Sequence, residues 1–295
     1  MTHPKPLIPF GWLRALCLFA CFLAVTIFLN WFTGTMLNLL QKAQTGVDHS
    51  PNEMIEGNLL VTLSIQLISA LITISIFRTH IDRQSFFSLG FAWKGFERHA
   101  WTGFFASVAM LGIGTAILML LGYLHFTGVE VDANSIFFNL AVMLMVAFTE
   151  EVIVRGYMLN NLMESFDKHI ALFISALVFA ALHVGNPGIS VLAFFEIFIG
   201  GLMLGINYIY TKNLWFAIFL HFAWNFLQGP ILGYQVSGIA LKPMLQQNLS
   251  GPESLTGGAF GFEGSILAII LNIALTVLLF VIYNNKKGNL NKQAT

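Results

Sequence analysis

Eight stretches of the chain are apolar with few interruptions, at about residues 12–33, 58–77, 102–124, 135–155, 169–185, 189–211, 214–233 and 265–283. Each approaches the ~20 residues that a helix needs to cross roughly 30 Å of hydrocarbon. A helix also satisfies its own backbone polar groups, which lipid cannot do. The pattern therefore predicts an all-α, polytopic transmembrane helical bundle of about eight membrane-spanning helices. Three regions follow from it. Residues 1–134 hold the first three apolar segments and a basic, aromatic loop at 78–101, which reads as a stretch at the cytoplasmic interface. Residues 135–233 hold four closely spaced segments, and residues 234–295 hold a Gly-, Ser- and Pro-rich outer loop, a last apolar segment and a short polar tail, expected to be mobile after Tyr283.

Composition sharpens this picture. Hydrophobic residues make up 57% of the 295 and charged residues only 9%, against roughly 25% charged in a soluble domain. A soluble enzyme, a disordered chain and a disulfide scaffold are excluded. A net charge of +0 gives no support for nucleic-acid binding. Cys17 and Cys21 lie one helical turn apart in the first apolar run and build no disulfide framework. Of the 14 lysines and arginines, only Lys42 and Lys242 fall on one side of the alternating segments. The excess on the other side predicts that both termini are cytoplasmic. Lys42 shares its outer loop, 34–57, with Asp48, Glu53 and Glu56.

Ionisable groups inside apolar runs are costly, and each needs a physical reason. Arg14 lies in the first turn of its segment and is expected to reach the headgroups along its own stem. Glu150, Glu151, Arg155, His183, Glu196 and His221 are deeper. On a helix, adjacent residues point about 100° apart, whereas positions four apart share a face. Glu151 and Arg155 can therefore neutralise each other, leaving Glu150 aimed elsewhere as a candidate general base. If segments four and five form an antiparallel hairpin, His183 reaches nearly the depth of Glu150. His221 and Asn225 are one turn apart, and an imidazole with an amide donor suits a developing oxyanion. Glu196 fits none of these groupings. It is expected to pair with a histidine, to bind a substrate group, or to be a protonated carboxyl bonded to a neighbouring helix.

Three motifs stand in order: Glu150-Glu151-Val152-Ile153-Val154-Arg155, then Phe179 to His183, then His221 to Asn225. This set resembles the CPBP family of intramembrane proteases, which includes CAAX prenyl endopeptidases of the Rce1 type and bacterial Abi-type proteins. The resemblance covers about residues 138–228, and the run Gly200-Gly201-Leu202-Met203-Leu204-Gly205 adds to it. It implies hydrolysis of a peptide bond in a membrane-associated peptide or protein, within the lipid bilayer. It gives Glu150 and His183 the activation of a water, His221 and Asn225 the oxyanion, and Glu151 and Arg155 a supporting role. No cofactor is the preferred expectation. Zinc is the alternative, with Glu150, His183 and His221 as ligands, although no His-Glu-x-x-His helix is present. Two other functions stay open: a non-catalytic immunity or scaffold protein on the same fold, and a proton-coupled transporter. The transporter lacks support from any inverted repeat. Counting helical rise from the predicted ends puts the constellation in the cytoplasmic half of the membrane.

Overall fold

The computed structural model describes residues 5–51, 53–54 and 58–293, with side chains up to residue 285. Glu56 and the side chains of Lys286, Lys287 and Lys292 lie outside the described residues. Eight principal helices form the bundle: α1 Gly11–Thr45, α2 Leu59–Ile76, α3 Glu97–Leu120, α4 Ala133–Glu151, α5 Lys168–Leu182, α6 Val191–Thr211, α7 Trp215–Phe226 and α8 Ile266–Gln293. The helix of α8 thus runs on past Tyr283, where a mobile tail was expected. A π turn extends α2 to Ile81, and another carries α4 on through Leu159 to a last turn at Leu162.

Six of these helices are long and apolar enough to cross a membrane: α1, α2 with its extension, α3, α4 with its extension, α6, and α8 over Ile266–Asn285. The protein is a polytopic helical membrane protein. The fifth and seventh apolar segments make shorter helices than the pattern predicts, α5 with 15 residues and α7 with 12. Helix α5 stops where Gly185, Pro187 and Gly188 follow. Helix α7 gives way to a π turn at Leu227–Ile231 that contains Pro230, a residue with no amide hydrogen for the helical ladder.

The short helix α7 is the centre of the molecule. Phe216, Ala217, Ile218, Leu220, His221, Ala223, Trp224 and Asn225 are all buried. Helix α3 reaches it closely because Gly103 has no side chain: a Cβ there would overlap the Phe216 carbonyl oxygen and come within 3.2 Å of Leu220 N. Ser107 Oγ then donates to the Leu220 carbonyl at 2.7 Å. Small residues at helix contacts are the usual way for backbones to approach in lipid. Helix α6 meets α5 in the same manner, where a Cβ on Gly201 would sit 3.0 Å from Ala176 Cα.

The two ends of the bundle differ. At one end a two-stranded antiparallel sheet pairs β1 Leu124–Val129 with β2 Leu245–Leu249. The apolar pattern alone did not predict these strands. Lys242 ties this end together through Glu130 at 2.7 Å and Asp132 at 3.1 Å. At the other end Arg14 is fully buried, contrary to the expectation of an exposed headgroup contact. It pairs with Asp82 at 2.9 Å and with Glu164. Arg78 holds the second Asp82 oxygen at 2.9 Å, and Tyr157 donates its hydroxyl to the first at 3.2 Å. The reason for the correction is distance along the chain: Asp82 and Glu164 are remote from Arg14 in sequence and only the fold supplies them.

Candidate active site

The site begins where α4 widens. Glu150 and Glu151 are its last two residues, and the π turn Val152–Leu159 follows at once. Such turns are rare and recur at functional sites, because they re-aim side chains without breaking the helix. Glu151 is fully buried. Its Oε1 accepts from Arg155 Nη1 at 2.9 Å and from His221 Nδ1 at 2.8 Å. Arg155 also donates to the Gly201 carbonyl at 3.1 Å, and its guanidinium lies 4.3 Å from the centre of the Phe179 ring. The Glu151–Arg155 pair therefore joins α4, α6 and α7, with Phe179 of α5 packed over the cation.

His183 directly follows α5, and its Nδ1 faces the Phe179 carbonyl at 2.8 Å. A carbonyl only accepts, so Nδ1 carries the hydrogen and a neutral ring presents a lone pair at Nε2. His221 is set the same way, because the carboxylate of Glu151 takes its Nδ1–H. Both Nε2 atoms are 3.9 Å from one atom, Glu150 Oε2. That oxygen is buried and has no hydrogen-bond partner among the described residues. A separation of 3.9 Å is too long for a direct hydrogen bond. It suits a single water about 2.8 Å from each atom, seen at close to a right angle.

The same three side chains have the donor types of a zinc site. Tetrahedral zinc with bonds of about 2.0–2.1 Å holds its ligand atoms roughly 3.4 Å apart. Both carboxylate–imidazole distances are wider than this, and among the described residues no three His, Cys, Asp or Glu side chains stand at metal-holding separations. The spacing does not fit the ion as the side chains lie.

Asn225 is 4% exposed and its amide makes no hydrogen bond to protein among the described residues. It lines a cleft of about 50 Å³ together with His183 and His221, enough for a few waters. Glu196 lines the same cleft. It pairs with neither histidine: its Oε1 accepts from Asn272 Nδ2 of α8. Toward the sheet end the wall is made by Ser237 and Glu263. Glu263 accepts from Trp224 Nε1 at 3.1 Å, Ser237 N at 2.9 Å and Ser237 Oγ at 2.8 Å. The sequence reading missed Glu263, Ser237 and Asn272. A signal existed for Asn272, an amide between Leu271 and Ile273 in an apolar run. None existed for the other two, which sit in a polar loop.

Residues 132–227 match the family described as Rce1-like: type II CAAX prenyl endopeptidase Rce1-like. This match supports a CPBP/CAAX protease assignment for the segment. The matched CAAX-protease segment runs from the start of α4 to the end of α7, roughly a third of the chain, and contains Glu150, Glu151, Arg155, His183, His221 and Asn225. No curated protein gives a significant match to the chain. Together with the six long apolar helices, the match makes the chain an integral membrane protein with a segment similar to CAAX-type endopeptidases.

Proposed function

We propose that the protein is an intramembrane endopeptidase that hydrolyses a peptide bond of a membrane-associated substrate with a water activated by Glu150 and His183. One observation carries this reading: Glu150 Oε2, without a protein partner among the described residues, is equidistant at 3.9 Å from two imidazole nitrogens whose other nitrogens are already committed. A water between these three atoms gives up a proton to the carboxylate as its oxygen attacks the substrate carbonyl, and the Glu150 carboxyl returns that proton to the amide nitrogen as the C–N bond breaks. His183 Nε2 orients that water and takes part in the proton transfer. The new oxyanion meets the amide of Asn225, a neutral donor that needs no protonation. His221 donates from Nε2 once it has taken up a proton. Glu151 at Nδ1 then steadies the imidazolium and fixes the ring orientation, much as a buried carboxylate does in a catalytic triad. Arg155 keeps the Glu151 carboxylate in place.

By the positive-inside rule the basic end, with both termini, faces the cytoplasm. The test is cleavage of membrane-embedded peptides by the purified protein, with and without exhaustive chelation. This reading expects turnover that survives the chelator. Turnover that vanishes with chelator and returns with zinc would replace the metal-free mechanism by the zinc alternative. No cleavage of any peptide by well-folded protein would favour the scaffold role.

A further inference from the structure

The cleft contains one carboxylate that the proposed chemistry leaves unused. Glu151 is compensated by Arg155 and His221, and Glu263 receives three hydrogen bonds from Trp224 and Ser237. Glu196 is 3% exposed and receives one, from the neutral amide of Asn272. It has no cationic partner among the described residues. A buried carboxylate with so little compensation is costly unless it is neutralised. Beside it, Asn272 is 2% exposed, and its Oδ1 is buried with no hydrogen-bond partner among the described residues. The two groups therefore offer an open acceptor, Asn272 Oδ1, beside a carboxyl group that no protein cation among the described residues compensates, on one side of the cleft.

Space is available next to them. Gly200 lies one turn after Glu196 and also lines the cleft. A Cβ added there would be 3.7 Å from Asn272 Nδ2 and 4.0 Å from Glu196 Oε1, which is ordinary contact without overlap. The cleft at this point is open because residue 200 has no side chain.

We infer that Glu196, Asn272 and Gly200 form a substrate subsite for a lysine or arginine side chain near the scissile bond. A protonated amine or guanidinium brings a donor for Asn272 Oδ1 and the positive charge that compensates an ionised Glu196. Its apolar stem suits a narrow, mostly apolar cleft. The position of the basic residue follows from helical rise. Glu196 is 15 residues from the Thr211 end of α6, and His221 is six residues from the adjacent Trp215 end of α7. At about 1.5 Å per residue the two differ by roughly 13 Å along the bundle. An extended substrate covers that in about four residues at roughly 3.3 Å each, and a long side chain shortens the requirement. The basic residue thus belongs two or three residues from the bond that is cut.

This subsite rests on the endopeptidase reading, and its test is separated from catalysis. The inactive Glu150→Gln protein, full length and purified, is titrated with membrane peptides that carry lysine or the neutral isostere norleucine at each of the three positions on either side of the candidate bond. The lysine peptide is expected to bind at least tenfold tighter at one position. Adding Glu196→Gln, which keeps an oxygen for Asn272, should erase that ratio. Adding Gly200→Val, which fills the space beside the carboxylate, should reduce it while norleucine binding at positions further away is retained. Equal binding of lysine and norleucine at every position would overturn the subsite, as would a preference that survives Glu196→Gln. If the lysine preference is found yet wild-type protein cuts none of the peptides, the subsite stands and the proteolytic reading fails.

Discussion

Two buried charge clusters sit at different places in this bundle, and they are finished to different degrees. Around Asp82 both carboxylate oxygens are occupied, one by Arg14 and Tyr157 and the other by Arg78. Arg78 is further held by Ser88 at 3.0 Å and by Gln84. Around Glu150 and Glu151 the cluster is incomplete. Glu151 uses one oxygen; its other, like Glu150 Oε2, is buried without a partner among the described residues. Both clusters bear the cost of placing charge in a low-dielectric interior. The first offsets it by filling both Asp82 oxygens and locks α1, α2 and the α4 extension together. The second leaves acceptors open where a water and a substrate can complete them. On the proposed reading, the open acceptors beside His183 and His221, and not the burial of charge, set the second cluster apart.

This contrast can be broken by substitution. The largest effect is expected for Glu150→Gln, which should lower proteolysis by about a hundred- to ten-thousand-fold with the unfolding temperature unchanged. A turnover assay beside a thermal melt reads both. Asp82→Asn should do the opposite: it leaves buried Arg78 without its anion and Arg14 with Glu164 alone, and should cost about 3–5 kcal/mol of stability. The refolded fraction should keep its rate per active molecule. A loss of turnover without a loss of stability would show that the Asp82 cluster is not purely structural.

Glu151→Gln tests the boundary between the two kinds of cluster. The amide oxygen still accepts from Arg155, but the charge that steadies it and His221 is gone. A stability loss of about 1–3 kcal/mol is expected, together with a partial loss of turnover. If melting is unchanged, Arg155 is held mainly by the Gly201 carbonyl and the Phe179 ring.

The smallest effect is expected at the sheet end, outside the membrane. Ser135 and Lys242 hold the Asp132 carboxyl down, from an ordinary 3.8 to about 2. A group with a lowered folded pKa stabilises the fold above its unfolded value and loses that contribution as pH falls through the folded one. The clamp between α4 and the 234–264 loop should therefore hold above about pH 4 and weaken toward about pH 2. Asp132→Asn should remove this pH dependence. Hydrogen exchange of the β1–β2 amides measures it.

How much of this was legible in the sequence depended on separation along the chain. The α4 motif announced itself because its ion pair spans four residues and stands inside an apolar run. His221 and Asn225 were readable for the same reason. Length and hydropathy marked all eight helices, yet not the early ends of α5 and α7, which the turn residues after Leu182 and the π turn with Pro230 determine. Arg14 misled because its partner is Asp82, far along the chain. Glu263 and Ser237 carried no signal, since their neighbours are polar and their role comes from the loop folding back onto α7.

The central claim is that Glu150 activates a water directly. The most direct measurement is a single-turnover cleavage in ¹⁸O-labelled water, with protein in excess over a membrane peptide that it cuts, and mass analysis of the new carboxyl terminus. Direct attack by water predicts one ¹⁸O in the product of the first turnover, formed at least about a hundredfold more slowly by Glu150→Gln. An unlabelled carboxyl terminus in that first turnover would contradict the account, because the oxygen would then have come from a protein carboxylate through a covalent intermediate.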